Sequence, residues 1–185
     1  MASFQKYFLA LVPEGDLQEK ATSLKEMLKE RFNIKYALKS PAHITVKMPF
    51  TYNEAKEDDL EKKLKQFLND YRPLELIIGG VRTFGDRVVY LNVDAKDDLF
   101  NLQKNLKTFC KRELNIVDEL SDRNFHPHMT LAFKDLKKNQ VPNIIKTLEE
   151  RPILEKFVSK QIFLLKRVDG RWINYKKVEI GGEVN

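Results

Sequence analysis

Two stretches of this chain repeat one pattern. His43-Ile44-Thr45-Val46 and His128-Met129-Thr130-Leu131 each hold a histidine, a spacer, a threonine and a branched apolar residue. The chain has 3 histidines, and the remaining one, His126, stands beside the second motif. Side chains alternate faces along a strand. As strands, the motifs therefore present His43, Thr45 and Lys47 on one face, and His126, His128 and Thr130 on another. Ile44, Val46, Met129 and Leu131 anchor each strand from behind. An imidazole, with an unperturbed pKa of ~6.5, takes or gives a proton near neutrality. Two of them flanking a phosphodiester can deprotonate the attacking oxygen and protonate the departing one. The threonine hydroxyls can bond the non-bridging oxygens as charge develops there. His43, Thr45, His128 and Thr130 are the candidate catalytic set. Lys47 and His126, on the same faces, are candidate substrate ligands, and Phe84, beside a turn, is a candidate base-stacking residue.

The rest of the chain must position these strands. An apolar run, Tyr7 to Val12, reads as a buried strand over 5–12, closed by Pro13-Glu14-Gly15; it lacks the cationic flank and cleavage site of a signal peptide. Asp16 is placed to cap a helix reaching Phe32, with Leu17, Ala21, Leu24, Met27 and Leu28 inward. After the first motif strand (42–50) the spacing predicts a helix over 54–70. Two strands, Leu74–Val81 and Val88–Val93, lead to a helix from Asp97 or Asp98 to Leu114, then to a polar segment, Asp118–Asn124. The second motif strand precedes a helix over 138–149 with Pro142 in its first turn. Lys156–Arg167 and Trp172–Ile180 read as a closing hairpin around Asp169-Gly170. The order strand, helix, motif strand, helix thus occurs twice. It fits an α+β fold of two lobes, each with a mostly antiparallel sheet and flanking helices, facing each other across a central cleft as one domain over 1–185.

Composition sets bounds. With 42% hydrophobic and 32% charged residues among 185, the chain has enough apolar material for a core and no disordered character. A net charge of +6 is compatible with a phosphate-bearing partner and too small to require one. The single cysteine, Cys110, excludes an internal disulfide and reads as a buried thiol. No apolar stretch nears the roughly 20 residues of a membrane span, so the expectation is a cytoplasmic monomer without membrane contact.

The paired motifs resemble those of the two-histidine (2H) phosphoesterase superfamily, within it the 2′-5′ RNA ligase-like and cyclic phosphodiesterase branch. The likeness extends to the opening strand, the Phe84 region and the closing hairpin. It implies a bilobal fold with a pseudo-two-fold axis, and a site that uses no metal or other cofactor. It also implies hydrolysis of 2′,3′-cyclic phosphate ends of RNA or nucleotides to 2′-phosphates, with 2′-5′ RNA ligase activity as the reverse direction. His43, Thr45, His128 and Thr130 fall on the motif positions. Relatives often carry a basic residue soon after the second motif; here Phe133 stands there, with Lys134 after it.

Three other readings compete, one of them a purely structural or partner-binding domain, which predicts neither phosphate binding nor any effect of the histidines. His126, His128 and His43 could ligate zinc with one position open, which leaves both threonines unexplained. A non-catalytic module that holds the phosphate of an RNA or nucleotide needs no paired imidazoles, since arginines grip phosphate better.

Overall fold

The doubled order seen in the sequence is doubled in space. In the computed structural model, which describes residues 3–182, β1 (Phe4–Leu11) is wholly buried from Tyr7 onward; the extreme ends of the expected 1–185 span lie outside the described residues. α1 (Asp16–Phe32) buries Leu17, Ala21, Leu24, Met27 and Leu28. It stops where Asn33 turns left-handed (φ 56), the amides of Asn33 and Ile34 closing onto the Lys29 and Leu28 carbonyls. A 3-10 turn over Tyr36–Lys39 leads to β2 (Ile44–Asn53) and then α2 (Glu57–Leu68). The second lobe follows with β3 (Leu74–Phe84), β4 (Val88–Ala95), α3 (Asp97–Glu113), α4 (Leu120–Arg123), β5 (His128–Phe133), α5 (Val141–Glu149) and β6 (Leu154–Ser159). β7 (Gln161–Val168) and β8 (Arg171–Glu179) complete the chain.

Two antiparallel four-stranded sheets result, ordered β2-β1-β7-β8 and β5-β4-β3-β6. The fold is α+β with two lobes, and the first lobe is built from both ends of the chain. In each sheet the strand before a helix (β1, β4) is internal, and the motif strand after it (β2, β5) is an edge. The helices pack on one face of each sheet in an apolar core that runs through both lobes, from Leu9 and Leu28 to Leu91 and Leu106. Cys110 lies fully inside it, and burial pushes its thiol up to about 12. On the opposite face of the first sheet, Phe8, Ala10, Val12, Phe163 and Leu165 form a smaller cluster against Trp172.

Three local expectations change. Asp16 is the first helical residue, not the cap; Gly15, at φ 68, holds the cap position, and Asp16 lies in the first turn, where the helix dipole favours a carboxylate. The expected strand Lys156–Arg167 is two strands in different sheets, β6 beside β3 and β7 beside β1, with the chain crossing at Lys160. The polar segment Asp118–Asn124 contains the short α4, closed by a capping box between Glu119 and Asp122. The hairpin signal holds: Asp169 (φ 48) and Gly170 (φ 76) make the two-residue turn between β7 and β8. No helix among the described residues is long and apolar enough to cross a membrane.

Candidate active site

Both motif strands carry an irregularity at the same motif position. Along β1 and β2, Ala10 pairs with Thr45 but the next residue, Leu9, pairs with Lys47, so Val46 is an extra, bulged residue. Along β4 and β5, Tyr90 pairs with Thr130 but Val89 pairs with Ala132, so Leu131 is the extra one. Both bulged residues are buried. The branched apolar residue after each threonine thus plugs the core where the strand bends, and a bulge there sets the aim of the preceding side chains.

The histidines are held alike. Nδ1 of His43 lies 2.7 Å from the Pro41 carbonyl oxygen, and Nδ1 of His128 lies 2.7 Å from that of His126. A carbonyl can only accept, so each Nδ1 carries the proton and donates it, leaving Nε2 of each neutral ring as the acceptor. His43 packs on Phe8 at 4.9 Å between ring centres, and Phe8 in turn on the edge of Trp172 at 4.8 Å. His128 sits edge-on to Phe84 at 5.0 Å and lies 5.3 Å from Tyr90. Both imidazoles and both threonines are half-buried. Among the described residues neither Thr45 nor Thr130 gives its hydroxyl to another protein group.

β2 and β5 meet where the two lobes join. Burial drives the His43 pKa down to about 4; the Pro41 carbonyl opposes the shift, while the charges of Lys25 and His128 add to it. His128 is also lowered, first by burial, with its carbonyl bond opposing and His126 adding to the shift. The pair therefore resists holding two protons. An anion between the rings reverses that balance, because a negative charge favours the protonated imidazole.

Two residues that position His43 escape the sequence reading. Gln18 on α1 clamps the backbone of Ala42, its Oε1 accepting from the Ala42 amide (2.8 Å) and its Nε2 donating to the Ala42 carbonyl (2.9 Å). Nε2 also reaches the Pro13 carbonyl at 2.9 Å. Lys25, buried on the same helix, donates to the Ala37 and Ser40 carbonyls at 3.1 and 3.2 Å, and burial pulls its pKa down to about 8. Both are polar residues on an amphipathic helix, and nothing in their spacing marks them off from a solvated face.

The candidate ligands fare differently. Lys47 is a correction. The bulge at Val46 reverses the alternation after Thr45, so Lys47 points to the core beside Leu9 and is fully buried. Its ammonium is ion-paired with Asp122 and donates to the Val117 carbonyl at 3.0 Å. Fully buried in this pairing, it is not presented to a substrate. His126 is exposed, 5.1 Å edge-on from Phe84, and serves His128 through its carbonyl. Phe84, at the end of β3, is 37% exposed and touches both histidines. No group of three or more His, Cys, Asp or Glu side chains able to hold a metal occurs among the described residues.

The profile of the 2′-5′ RNA ligase superfamily matches residues 13–171, a span that includes both motifs. The chain belongs to this superfamily, that of the two-histidine phosphoesterases. It is 25% identical over 179 residues to a protein of Bacillus licheniformis named "Putative phosphoesterase", covering 95% of this chain and 99% of that one. It is 30% identical over 132 residues to a like-named protein of Bacillus cytotoxicus, covering 70% of each chain. Among solved structures it is similar to ligand-free LigT of Escherichia coli, with TM-score 0.63 and 14% identity over 98% of this chain and 100% of that one. TT0787 of Thermus thermophilus is similar to the same degree, with TM-score 0.63 and 15% identity over 96% and 99%. Those two likenesses are of fold. With the superfamily match and the curated relatives, they define a phosphoesterase in the LigT-like fold.

Proposed function

We propose that this phosphoesterase opens 2′,3′-cyclic phosphates on RNA ends or nucleotides by acid–base catalysis between His43 and His128, without a metal. The observation that carries this reading is the matched setting of the two motifs. Each imidazole has the same tautomer, fixed by the same carbonyl bond, on the edge strand of its own sheet, with a threonine hydroxyl two residues on. The phosphate sits between the Nε2 atoms, its non-bridging oxygens accepting from Thr45 and Thr130. One neutral Nε2 takes the proton of the attacking water as the new P–O bond forms. The other imidazole, protonated through the phosphate's own charge, gives its proton to the 3′ oxygen as that P–O bond breaks. The product is a 2′-phosphate and a 3′-hydroxyl.

With a 5′-hydroxyl in place of water, the same groups open the cyclic phosphate to a 2′-5′ link, the 3′ oxygen leaving as before, which is the ligase direction. E. coli LigT has been crystallised with 3′-AMP and with ATP; by analogy of fold, a nucleotide is the class of ligand offered to this chain. The test is hydrolysis of 2′,3′-cyclic nucleotides with EDTA present, comparing the native protein with His43→Ala and His128→Ala. Turnover that survives EDTA and is lost in both variants supports the reading. Tight binding of the nucleotide with no turnover by the native protein would favour the non-catalytic alternative.

A further inference from the structure

Beyond the histidine pair, four cations gather where the 3-10 turn over Tyr36–Lys39 meets the end of β5. Lys134 donates to the Tyr36 hydroxyl at 2.9 Å, and its ammonium stands 4.4 Å from the centre of that ring. Lys39 lies 4.7 Å from the same ring centre. Arg167, on β7, is 5.5 Å from the Trp172 ring, which packs on the Phe8 that supports His43. The hydrogen bond from Lys134 first, then the charge and contacts of Lys134, Arg167 and Lys39, hold the Tyr36 phenol below its usual value. Arg171 joins them from the start of β8 but gives its guanidinium to the Leu38 carbonyl at 2.8 Å.

Cations without an acid partner are common among the described residues, but here several converge on one ring and one turn. Elsewhere, Lys20, Lys166 and Lys176 each meet two carboxylates. Among the described residues, none of Lys39, Lys134, Arg167 and Arg171 has a carboxylate oxygen within 4.0 Å. The neighbouring Asp135 is turned to the backbone, accepting from the amides of Lys35 and Tyr36 at 2.8 Å each. Its bonds fix the Tyr36 turn against the end of β5. Lys134 itself adopts φ 64, a conformation uncommon for a side-chain-bearing residue. That turn takes it off the strand's alternation and across to Tyr36. Backbone in such a region is maintained where the surroundings over-determine it, often at ligand sites.

The cluster adjoins the catalytic pair without overlapping it. Phe133 packs edge-on against Tyr36 at 5.1 Å, and because Leu131 is bulged it stands two ladder steps beyond Thr130 on β5, about 7 Å at the strand rise. The left-handed turn at Lys134 carries its ammonium away from the motif face and onto Tyr36, so a substrate with a second phosphate can engage it while the first lies against Thr130. We propose that Lys134, Arg167, Lys39 and the Tyr36 hydroxyl form a second phosphate subsite, so that the preferred substrate bears a phosphate besides the cyclic one. Guanidinium and ammonium groups around a phenol suit phosphate oxygens, each charge-assisted hydrogen bond being about twice as strong as a neutral one. The second phosphate is either the neighbouring link of an RNA end or the 5′-phosphate of a nucleotide. This inference rests on the proposed cyclic-phosphate reading, and its test separates the two.

Kinetics would be measured on adenosine 2′,3′-cyclic phosphate, its 5′-phosphorylated form, and a dinucleotide ending in the cyclic phosphate. The variants are Lys134→Asn, chosen because asparagine tolerates positive φ, and Arg167→Gln, alone and combined. The native protein is expected to favour one or both phosphate-bearing substrates by about tenfold or more in kcat/KM, the size expected of one charged hydrogen bond. Whichever of them is favoured identifies the source of the phosphate. The double variant should lose that preference through KM, with turnover of the plain cyclic nucleotide unchanged. Equal kcat/KM on all three substrates, or a preference that survives the double variant, overturns the subsite. A second arm needs no turnover: calorimetric binding of adenosine 2′,5′-bisphosphate against adenosine 2′-monophosphate. Tighter native binding of the bisphosphate, abolished in the double variant, supports the subsite even if no cyclic phosphate is cut. Equal binding of the two overturns it.

Discussion

Lys47 and Asp122 form an ion pair closed off from solvent, with side-chain exposures of 0% and 1%. The pair ties the strand that follows His43 to the segment that enters the strand of His128. Asp122 is fully engaged: its carboxylate also accepts from the Met48 amide at 2.8 Å and the Glu119 amide at 2.9 Å. Gln103 donates to its carbonyl at 3.0 Å. The two motif strands are edges of different sheets, so this clasp is one of the few polar links that set their separation.

Removing one partner should therefore be severe. Lys47→Ala or Asp122→Ala leaves a buried charge unpaired, a loss of about 3–5 kcal/mol. Replacing both with apolar residues of similar size, Lys47→Met with Asp122→Leu, should recover part of that loss, though the Met48 and Glu119 amides then lack an acceptor. Urea unfolding of the three variants measures this. A cost below about 1 kcal/mol for either single variant would mean that the pair is not sealed from water.

Much of this arrangement could be read from residues alone, and the limits have physical causes. The apolar spacing of α1 and α3 and the Asp169-Gly170 turn are local signals, and they place those elements to within a few residues. The side-by-side imidazole and hydroxyl of each motif follow from strand alternation, which holds from His43 to Thr45 and from His128 to Thr130. It fails at Lys47 because one bulged residue, Val46, turns the next side chain inward until a second irregularity before Phe50 restores the alternation, and a bulge leaves no mark in a run of apolar and polar residues. The crossing at Lys160 is hidden for a similar reason: Ser159-Lys160-Gln161 contains neither glycine nor proline, and the alternation continues through it. Gln18 matters through a partner 24 positions away, a relation set by packing and not by sequence spacing.

His43→Ala and His128→Ala should each lower kcat/KM on a cyclic nucleotide by about 10²–10⁴. The double variant should be little worse than either single one, because acid and base act as a unit. Thermal unfolding should change little, since both rings are half-buried and make one local bond each. EDTA should leave native turnover unchanged. Losses that simply multiply in the double variant would count against a shared mechanism, and inhibition by EDTA that zinc reverses would revive the metal reading.

The pH profile follows from the direction of both shifts. kcat/KM reports the free enzyme, which needs one imidazole protonated and one neutral. With His43 lowered to about 4 and His128 also lowered, the kcat/KM optimum should lie below the ordinary histidine value of about 6.5. Bound phosphate raises both values, so the kcat optimum should fall at higher pH. Stability moves in the same window. Above about pH 6.5 both states hold His43 neutral and nothing is lost. As the pH falls from there toward 4, the unfolded chain binds a proton that the native one refuses, and stability declines. His43→Gln should remove part of that decline relative to the native protein, as urea midpoints at neutral and mildly acid pH would show. An identical decline in the variant would place its origin in other groups.

Phe84 offers the clearest separation of binding from chemistry. It lies 4.3 Å from Tyr90 with the rings tilted by 32°, edge-on to His126 and His128, and 37% exposed. Tyr90 supports it from inside, being 3% exposed. An aromatic held in this way can stack a nucleobase, a contact worth about 1–3 kcal/mol. Phe84→Ala should then raise KM for a cyclic nucleotide on the order of tenfold, with kcat nearly unchanged, and Phe84→Trp should restore KM. A fall in kcat at constant KM would give a different answer: Phe84 would be aligning the His128 ring through their edge-on contact, and the base would bind elsewhere.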